Sequence, residues 1–134
     1  MTPMYMLDTD ICIYLINSRS SNVVDNIYRH RSEGICISSI TLAELEYGAA
    51  KSQHYERNII AIHKMLSIIN VLPFDEDAAS YYGDIRARLE RIGQTIGPLD
   101  MLIAAHAKSQ RLVLVSNNTK EFTRVDGLNL VNWL

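Results

Sequence analysis

Short apolar runs alternate with longer stretches of helical spacing along the 134-residue chain. The apolar runs have the length of strands and are bounded by turn-forming or polar residues, a pattern typical of buried strands. They lie at residues 5–7, 35–38, 70–74 and 112–116. A further run at 128–133 predicts a short edge strand at the end of the sequence.

Between these runs, apolar residues recur at the spacing of amphipathic helices. The predicted helices cover residues 11–16, 23–33, 39–51, 55–69, 75–92 and 99–110, with Pro98 well placed to open the last one. Strands that alternate with helices imply βαβ units, right-handed crossovers and a mainly parallel sheet. Since no repeat or linker interrupts the pattern, we predict one three-layer α/β domain over residues 1–134.

A carboxylate stands where the first predicted strand ends. Asp8 follows the run 5–7 directly, and Asp10 comes two residues later, just before the apolar pattern resumes at helical spacing. In open α/β sheets the ligand site lies beyond the carboxyl ends of the strands, and an unpaired carboxylate is costly to bury. Asp8 is therefore either part of a functional site or only a cap for the following helix.

Three more acidic side chains follow later elements. Glu44 comes after the second strand, and Asp100 lies in the first turn of its helix. Glu121 follows the strand at 112–116. Each has a purely structural alternative: Thr41 and Glu44 have the spacing of a capping box, and Asp100 complements the helix dipole. For Glu121 the alternative is a solvated loop.

Taken together, these acids are expected at one edge of the sheet. Carboxylates brought close to one another repel unless a cation lies among them. Mg²⁺ and Mn²⁺ prefer oxygen ligands and retain water molecules, so a loose acidic cluster suits them. Such a site generates a hydroxide from water and stabilises charge on a phosphoryl oxygen. The pattern therefore indicates metal-assisted hydrolysis of a phosphoester.

Composition narrows the class of protein. With 48% hydrophobic and 21% charged residues the chain is typical of a globular protein, and its net charge of −2 argues against one that mainly coats nucleic acid. Cys12 and Cys36 lack the spacing of a zinc site, so two reduced core thiols are expected. His106 lies on an apolar helix, where a core or interface histidine is expected. No membrane-spanning run or signal peptide is recognisable, which favours a cytoplasmic location.

Four motifs carry a resemblance to a known family. They are MLDTD at 6–10, SITLAELEYG at 39–48, IGPLDMLIAAHA at 96–107 and LVSNNTKEF at 114–122. In order and spacing they resemble the PIN-domain endoribonucleases, and more narrowly the VapC-type toxins of bacterial toxin–antitoxin pairs. The resemblance extends over nearly the whole chain and implies a PIN-like fold with a five-stranded parallel sheet flanked by helices.

The resemblance also implies a set of catalytic residues. Carried over position by position, the acids of the family fall on Asp8, Glu44 and Asp100, with Asp8 and Asp100 as the ligands of Mg²⁺ or Mn²⁺. The family places its fourth acid at either of two positions, which are Asn118 and Glu121 in this chain. Because only Glu121 is acidic, it is expected to complete the set.

Three accessory positions follow from the same resemblance. Asn118 is expected to be a polar helper, and Ser116 to orient a neighbouring side chain. Asp10 departs from the family, which more often has asparagine there. The change adds one negative charge, which would tighten metal binding or require further neutralisation.

The resemblance implies partners as well. A VapC-type toxin cleaves RNA, and related toxins from enteric bacteria cut initiator tRNA in the anticodon loop and so inhibit translation. It forms a tight complex with a cognate VapB-type antitoxin, and the complex binds operator DNA through the antitoxin. Homodimers are usual in the family, and residues 39–69 are the expected interface. No membrane partner is implied.

Two other classes of function also fit parts of the sequence. Asp8 and Asp10 match the opening of haloacid-dehalogenase-like phosphatases, in which the first aspartate is a nucleophile. That family needs a second acidic pair after a later strand, whereas Gly83 and Asp84 fall within a predicted helix. A non-enzymatic binding module, with acids that serve only as helix caps, is the other alternative.

Overall fold

A parallel sheet of five strands lies at the centre of the fold, in a computed structural model that describes residues 3–134. The strands are β1 Tyr5–Leu7, β2 Ile35–Ser38, β3 Asn70–Leu72, β4 Val113–Val115 and β5 Asn129–Val131. Their order is β3-β2-β1-β4-β5, so the first strand of the chain is also the central one. Met6 is in register with Cys36 on one side and with Leu114 on the other.

Helices cover both faces of this sheet. They are α1 Thr9–Ile16, α2 Ser21–His30, α3 Ser39–Ala50, α4 Tyr55–Leu66, α5 Glu76–Arg91, α6 Pro98–Ser109 and α7 Thr119–Phe122, with a 3₁₀ turn at Arg31–Glu33. The predicted three-layer α/β fold with a parallel sheet is confirmed. The main difference is α7, a stretch for which no helix was predicted: Phe122 is fully buried there, at the end of the helical turn.

Successive strand residues face two separate hydrophobic layers, as strand geometry requires. One layer packs α5 and α6 against the sheet and includes Met6, Cys36, Leu89, Ala104 and Leu114. The other packs α1 to α4 against the opposite face and includes Leu7, Ile11, Ile37, Ile62 and Val115. Because both faces of the central strands are buried, their sequences are continuously apolar. None of the helices within residues 3–134 combines the length and apolar character needed to cross a bilayer.

The start of α3 corrects one prediction. The helix begins at Ser39, and Ser38 caps it by accepting a hydrogen bond from the Ile40 amide at 3.1 Å. Thr41 is therefore a buried residue of the first turn, and the proposed capping box between Thr41 and Glu44 is wrong. The side chain of Glu44 is therefore free to contact α1.

Both cysteines are free and buried, as expected for reduced core thiols. Burial raises the pKa of the Cys36 thiol to about 12. Cys12 lies in the layer on the other face, and burial raises the pKa of its thiol as well. Both side chains therefore act as small apolar core residues and not as nucleophiles.

Gly34 forms the tight entry into β2. Its backbone has a φ of +91° and a ψ of 125°, a conformation that side chains other than glycine rarely adopt. Its carbonyl accepts hydrogen bonds from the amides of Met4 and Tyr5 at 3.0 and 3.1 Å. A Cβ atom at this position would lie 2.7 Å from the Cα of Pro3. The glycine therefore lets the segment before β1 pack directly against the start of β2.

We expect Gly34→Ala to lower the free energy of unfolding by about 2 kcal/mol, because the backbone conformation is strained and the new methyl group meets backbone atoms. Urea unfolding of the two proteins measures the change. Gly83→Ala is the matched control: Gly83 lies within α5 with open space around its Cα. There alanine should raise stability by roughly 0.5 to 1 kcal/mol. An unchanged midpoint for Gly34→Ala would contradict the account of this turn.

Candidate active site

Asp8 lies at the carboxyl end of the central strand and is almost completely buried, with 4% of its surface exposed. One carboxylate oxygen accepts from the backbone amide of Thr9 at 2.8 Å, so Asp8 caps α1. The other accepts from the Ser116 hydroxyl, also at 2.8 Å. The capping contact is thus real, but it uses only one oxygen. Ser116 fixes the other from the end of β4, so the whole carboxylate is held in one orientation.

Asp10 joins the same edge from the first turn of α1. Its Oδ1 accepts from the Ile11 amide at 2.7 Å, and its Oδ2 accepts from the backbone amide of Asn117 at 3.1 Å. The residue therefore ties the segment after β4 to α1. This contact gives the unusual aspartate a structural role beside the charge that it adds.

Glu44 projects from α3 toward α1. Its Oε1 accepts a hydrogen bond from the Thr9 hydroxyl at 2.7 Å, and the same hydroxyl lies 3.3 Å from the buried hydroxyl of Thr41. Sequence reasoning missed Thr9 and Thr41 as parts of the site. For Thr9 a signal was available in the sequence. This hydroxyl residue stands between Asp8 and Asp10, at the start of the helix that follows the first strand.

Asp100 and Glu121 approach from two further helices. Asp100 lies in the first turn of α6, partly buried, and Glu121 lies in α7. The Asn118 side-chain amide donates to Glu121 at 3.4 Å, and the Asn118 backbone amide donates to the Ser116 hydroxyl at 2.9 Å. Asn118 thus contacts both the acid of α7 and the residue that orients Asp8.

The carboxylates are close enough to perturb one another. The pKa of Asp8 is raised to about 7, first by burial and then by the negative charges of Asp10 and Asp100. Burial also raises the pKa of Asp10. The pKa of Asp100 is raised to about 6 by burial and by the charges of Glu121, Glu44 and Asp10. The structure therefore brings all five acids into a single electrostatic cluster at the carboxyl edge of the sheet.

This cluster has the chemistry of a site for a hard cation. Its donors are all carboxylate oxygens, and their repulsion is what a divalent ion would relieve. Across residues 3–134, no three Asp, Glu, His or Cys side chains close around one point tightly enough to enclose an ion by themselves. An open set of this kind fits Mg²⁺ or Mn²⁺, which retain several water molecules, better than a fully enclosed metal.

Comparison with known proteins places this site in a family. The sequence pattern of the PIN domain matches residues 5–128. The tRNA(fMet)-specific endonuclease VapC of Shigella flexneri is 47% identical over 96% of this chain and 97% of its own. Ribonuclease VapC2 of Haemophilus influenzae is 45% identical over 97% and 98% of the two chains.

Solved structures agree with the sequence relatives. VapBC2 from Rickettsia felis, bound to a DNA fragment from its promoter, superposes with a TM-score of 0.94 at 42% identity over 98% of this chain and 99% of the other. DNA-bound VapBC from Salmonella typhimurium gives the same TM-score, identity and coverage. The fold, the acidic edge and the full-length similarity lead to one assignment: the chain is a PIN-domain protein of the VapC type.

Proposed function

We propose that this chain is a Mg²⁺- or Mn²⁺-dependent endoribonuclease, the toxin of a type II toxin–antitoxin system. The observation that carries the proposal is the convergence of Asp8, Glu44, Asp100 and Glu121 at one edge of the sheet, where burial and neighbouring negative charges raise the pKa values of Asp8 and Asp100. Relatives of the same length are named ribonucleases or endonucleases. A cluster of charges that repel one another is otherwise difficult to explain.

Asp8, Asp100 and Glu44 divide two roles in this mechanism. Asp8 and Asp100 would hold the ion, which when bound supplies a Lewis acid for a phosphoryl oxygen and lowers the pKa of water. The Thr9 amide and the Ser116 hydroxyl orient Asp8, so both its oxygens are fixed before any ligand arrives. The Thr9 hydroxyl holds Glu44 at the same edge, where its carboxylate is available to accept a proton.

The two alternatives fit the structure less well. Gly83 and Asp84 lie in the middle of α5, and Asp84 is exposed there, not placed after a strand. The second acidic pair of a phosphatase is therefore not provided by these residues. A pure binding module would not need Asp100 close enough to Asp8 for its charge to raise the pKa of that carboxyl.

We propose initiator tRNA, cut in the anticodon loop, as the substrate. The support comes from the relatives of Shigella flexneri and Salmonella typhimurium, which are 47% and 43% identical and are both named tRNA(fMet)-specific endonucleases. Cutting initiator tRNA would stop translation at its first step, which accounts for toxicity.

A VapB-type antitoxin is the proposed protein partner, and operator DNA would be bound through it. Solved relatives are VapBC complexes, some of them bound to promoter DNA. The chain exposes large apolar side chains on neighbouring helices: Ile13 on α1 and Ile60 on α4 are 45% and 56% exposed. Ile13 lines a cavity of about 180 Å³ that also reaches Glu44. This surface suits an apolar partner segment that covers the active site.

A homodimer is proposed through residues 39–69. Within this stretch Tyr47, Tyr55 and Ile68 are 66%, 50% and 68% exposed. Exposed aromatic and aliphatic side chains of this kind are enriched at protein interfaces. Sedimentation of the purified protein over a range of concentrations measures the oligomeric state.

We expect Asp8→Asn to abolish RNA cleavage while leaving the protein folded. Asparagine caps a helix about as well as aspartate, but it removes the charge that holds the ion. Since changing even an outer partner of a metal ligand costs about 10- to 100-fold, the rate should fall by more than about 100-fold. The measurement is cleavage of total RNA by antitoxin-free protein in Mg²⁺ or Mn²⁺, with a chelator as blank.

Asp25→Asn is the control for this experiment, because Asp25 is an exposed acid of α2 away from the cluster. It should cleave as the wild type does. Equal cleavage by Asp8→Asn and wild type would show that Asp8 is only a cap, or that a contaminating ribonuclease is at work.

Initiator tRNA should be cut once, in the anticodon loop, when incubated with the protein and Mg²⁺. Elongator tRNA(Met) is the matched control, since it carries the same anticodon on a different stem, and it should remain intact. Gel analysis of end-labelled tRNAs gives both the product and the position of the cut. Equal cleavage of the two tRNAs would mean that the enzyme has a broader substrate range.

Without metal, the stability of the wild type should fall as pH rises. The folded pKa of Asp8 lies near 7, above its ordinary value of 3.8, so its contribution is complete below that ordinary value and is lost as pH rises toward 7. Urea unfolding in a chelator, from about pH 4 to about pH 8, measures the decline. Asp8→Asn should decline less, and saturating Mg²⁺ should remove most of the decline. A parallel decline in wild type and variant would show that Asp8 is not the group responsible.

A further inference from the structure

A buried hydrogen bond joins the two helices that carry Asp100 and Glu44. The Ser38 hydroxyl and the His106 Nδ1 atom lie 2.8 Å apart, and both residues are completely buried. Ser38 ends β2 and caps α3, while His106 lies in the last turns of α6. Glu44 follows Ser38 by six residues, and Asp100 precedes His106 by six. The bond therefore connects α3, which carries Glu44, with α6, which carries Asp100.

The direction of this bond is fixed by the remaining contacts. The Ser38 oxygen already accepts from the Ile40 amide at 3.1 Å. If the hydroxyl donates to Nδ1, only the His106 Nε2 hydrogen lacks a partner. If His106 donated instead, both the Ser38 hydrogen and the Nε2 lone pair would lack one. The first arrangement leaves fewer buried polar groups unpaired, so His106 is neutral and its Nδ1 accepts.

The second ring nitrogen of His106 lowers the stability of the fold, because a buried polar atom without a hydrogen-bond partner is unfavourable. Nε2 is buried and has no hydrogen-bond partner within residues 3–134. The aromatic ring of Phe74 packs against the imidazole in a T-shaped arrangement, with ring centroids 5.5 Å apart. A leucine would fill this apolar site without an unpaired polar atom. An unpaired buried group in a native protein calls for a compensating role, and the bond to Ser38 is the contact that leucine would lose.

The remaining side-chain bonds at the acidic edge do not reach α6. Thr9 joins α1 to Glu44, Ser116 joins β4 to Asp8, and Asp10 accepts from Asn117. Within residues 3–134, the only other side-chain hydrogen bond that leaves α6 runs from Lys108 to the backbone carbonyl of Asp126. Apolar packing holds α6 against the sheet, but its polar connection to α3 depends on His106.

We propose that His106 is a positioning residue, which through Ser38 fixes α6 against α3 and so sets the separation of Asp100 and Glu44. The proposal rests on the nuclease function above, since the separation matters only if the acids share an ion. His106 does not touch the reacting groups. Its effect is on how tightly the cluster binds the ion, because groups that orient metal ligands change affinity without contacting the metal.

Isothermal titration of antitoxin-free protein with Mn²⁺ tests this role. His106→Leu should weaken Mn²⁺ binding by about tenfold, the lower end of the effects seen for groups that orient metal ligands. His106→Asn should restore most of the affinity, because the asparagine oxygen can take the place of Nδ1, whereas His106→Gln moves the acceptor farther out. Ser38→Ala should weaken binding like His106→Leu, and the double variant should be no weaker than Ser38→Ala alone.

The control is Ile103→Val, which shortens a fully buried side chain on the same helix and retains both partners of the His106–Ser38 hydrogen bond. It should lower the melting temperature but leave the Mn²⁺ affinity unchanged. Wild-type affinity in folded His106→Leu would overturn the positioning role while the nuclease stands. If His106→Leu does not fold, the test is the comparison of His106→Asn with His106→Gln. Equal Mn²⁺ affinities of these two variants would overturn the positioning role. A wild type that binds no Mn²⁺ would instead overturn the proposed function, and this inference with it.

Discussion

Repulsion among carboxylates is the constraint on which the rest of the structure depends. Five acids from four helices and the end of one strand face the same edge of the sheet, where burial and the neighbouring charges raise the pKa values of Asp8 and Asp100 to about 7 and about 6. A fold gains nothing from such a cluster in isolation, because each charge destabilises its neighbours. The two apolar layers on either side of the sheet supply the stability that holds the acids together.

Uncharged hydrogen-bond donors control the orientation of the carboxylates in this cluster. Hydroxyl and backbone N–H donors, not basic side chains, hold the acids: Ser116 and the Thr9 amide orient Asp8, the Thr9 hydroxyl holds Glu44, and the Asn117 amide holds Asp10. Arginine or lysine at these positions would neutralise the cluster and compete with a bound cation. Neutral donors orient the oxygens but leave their charge available, which is the property a metal site requires.

Much of this architecture follows from the sequence because the central strands are buried on both faces and therefore read as apolar runs. Asp8, Glu44 and Asp100 could be placed since each follows a strand or opens a helix. The capping box at Thr41 was wrong because Ser38, three residues earlier, caps the helix instead. The contact between Thr9 and Glu44 joins residues 35 positions apart. Local patterns carry no information about contacts of this range, so tertiary packing alone determines them.

The position of β1 at the centre of the sheet has a consequence for synthesis of the protein. Asp8 is among the first residues made, yet the hydroxyl that orients it belongs to Ser116, 108 positions later. β1 also pairs with β4, which is the fourth strand to be made. A chain still attached to the ribosome before β4 has emerged therefore lacks one neighbour of its central strand and also α7, which carries Glu121. The acidic cluster can therefore form only when the chain is nearly complete, so an unfinished chain does not carry an assembled site.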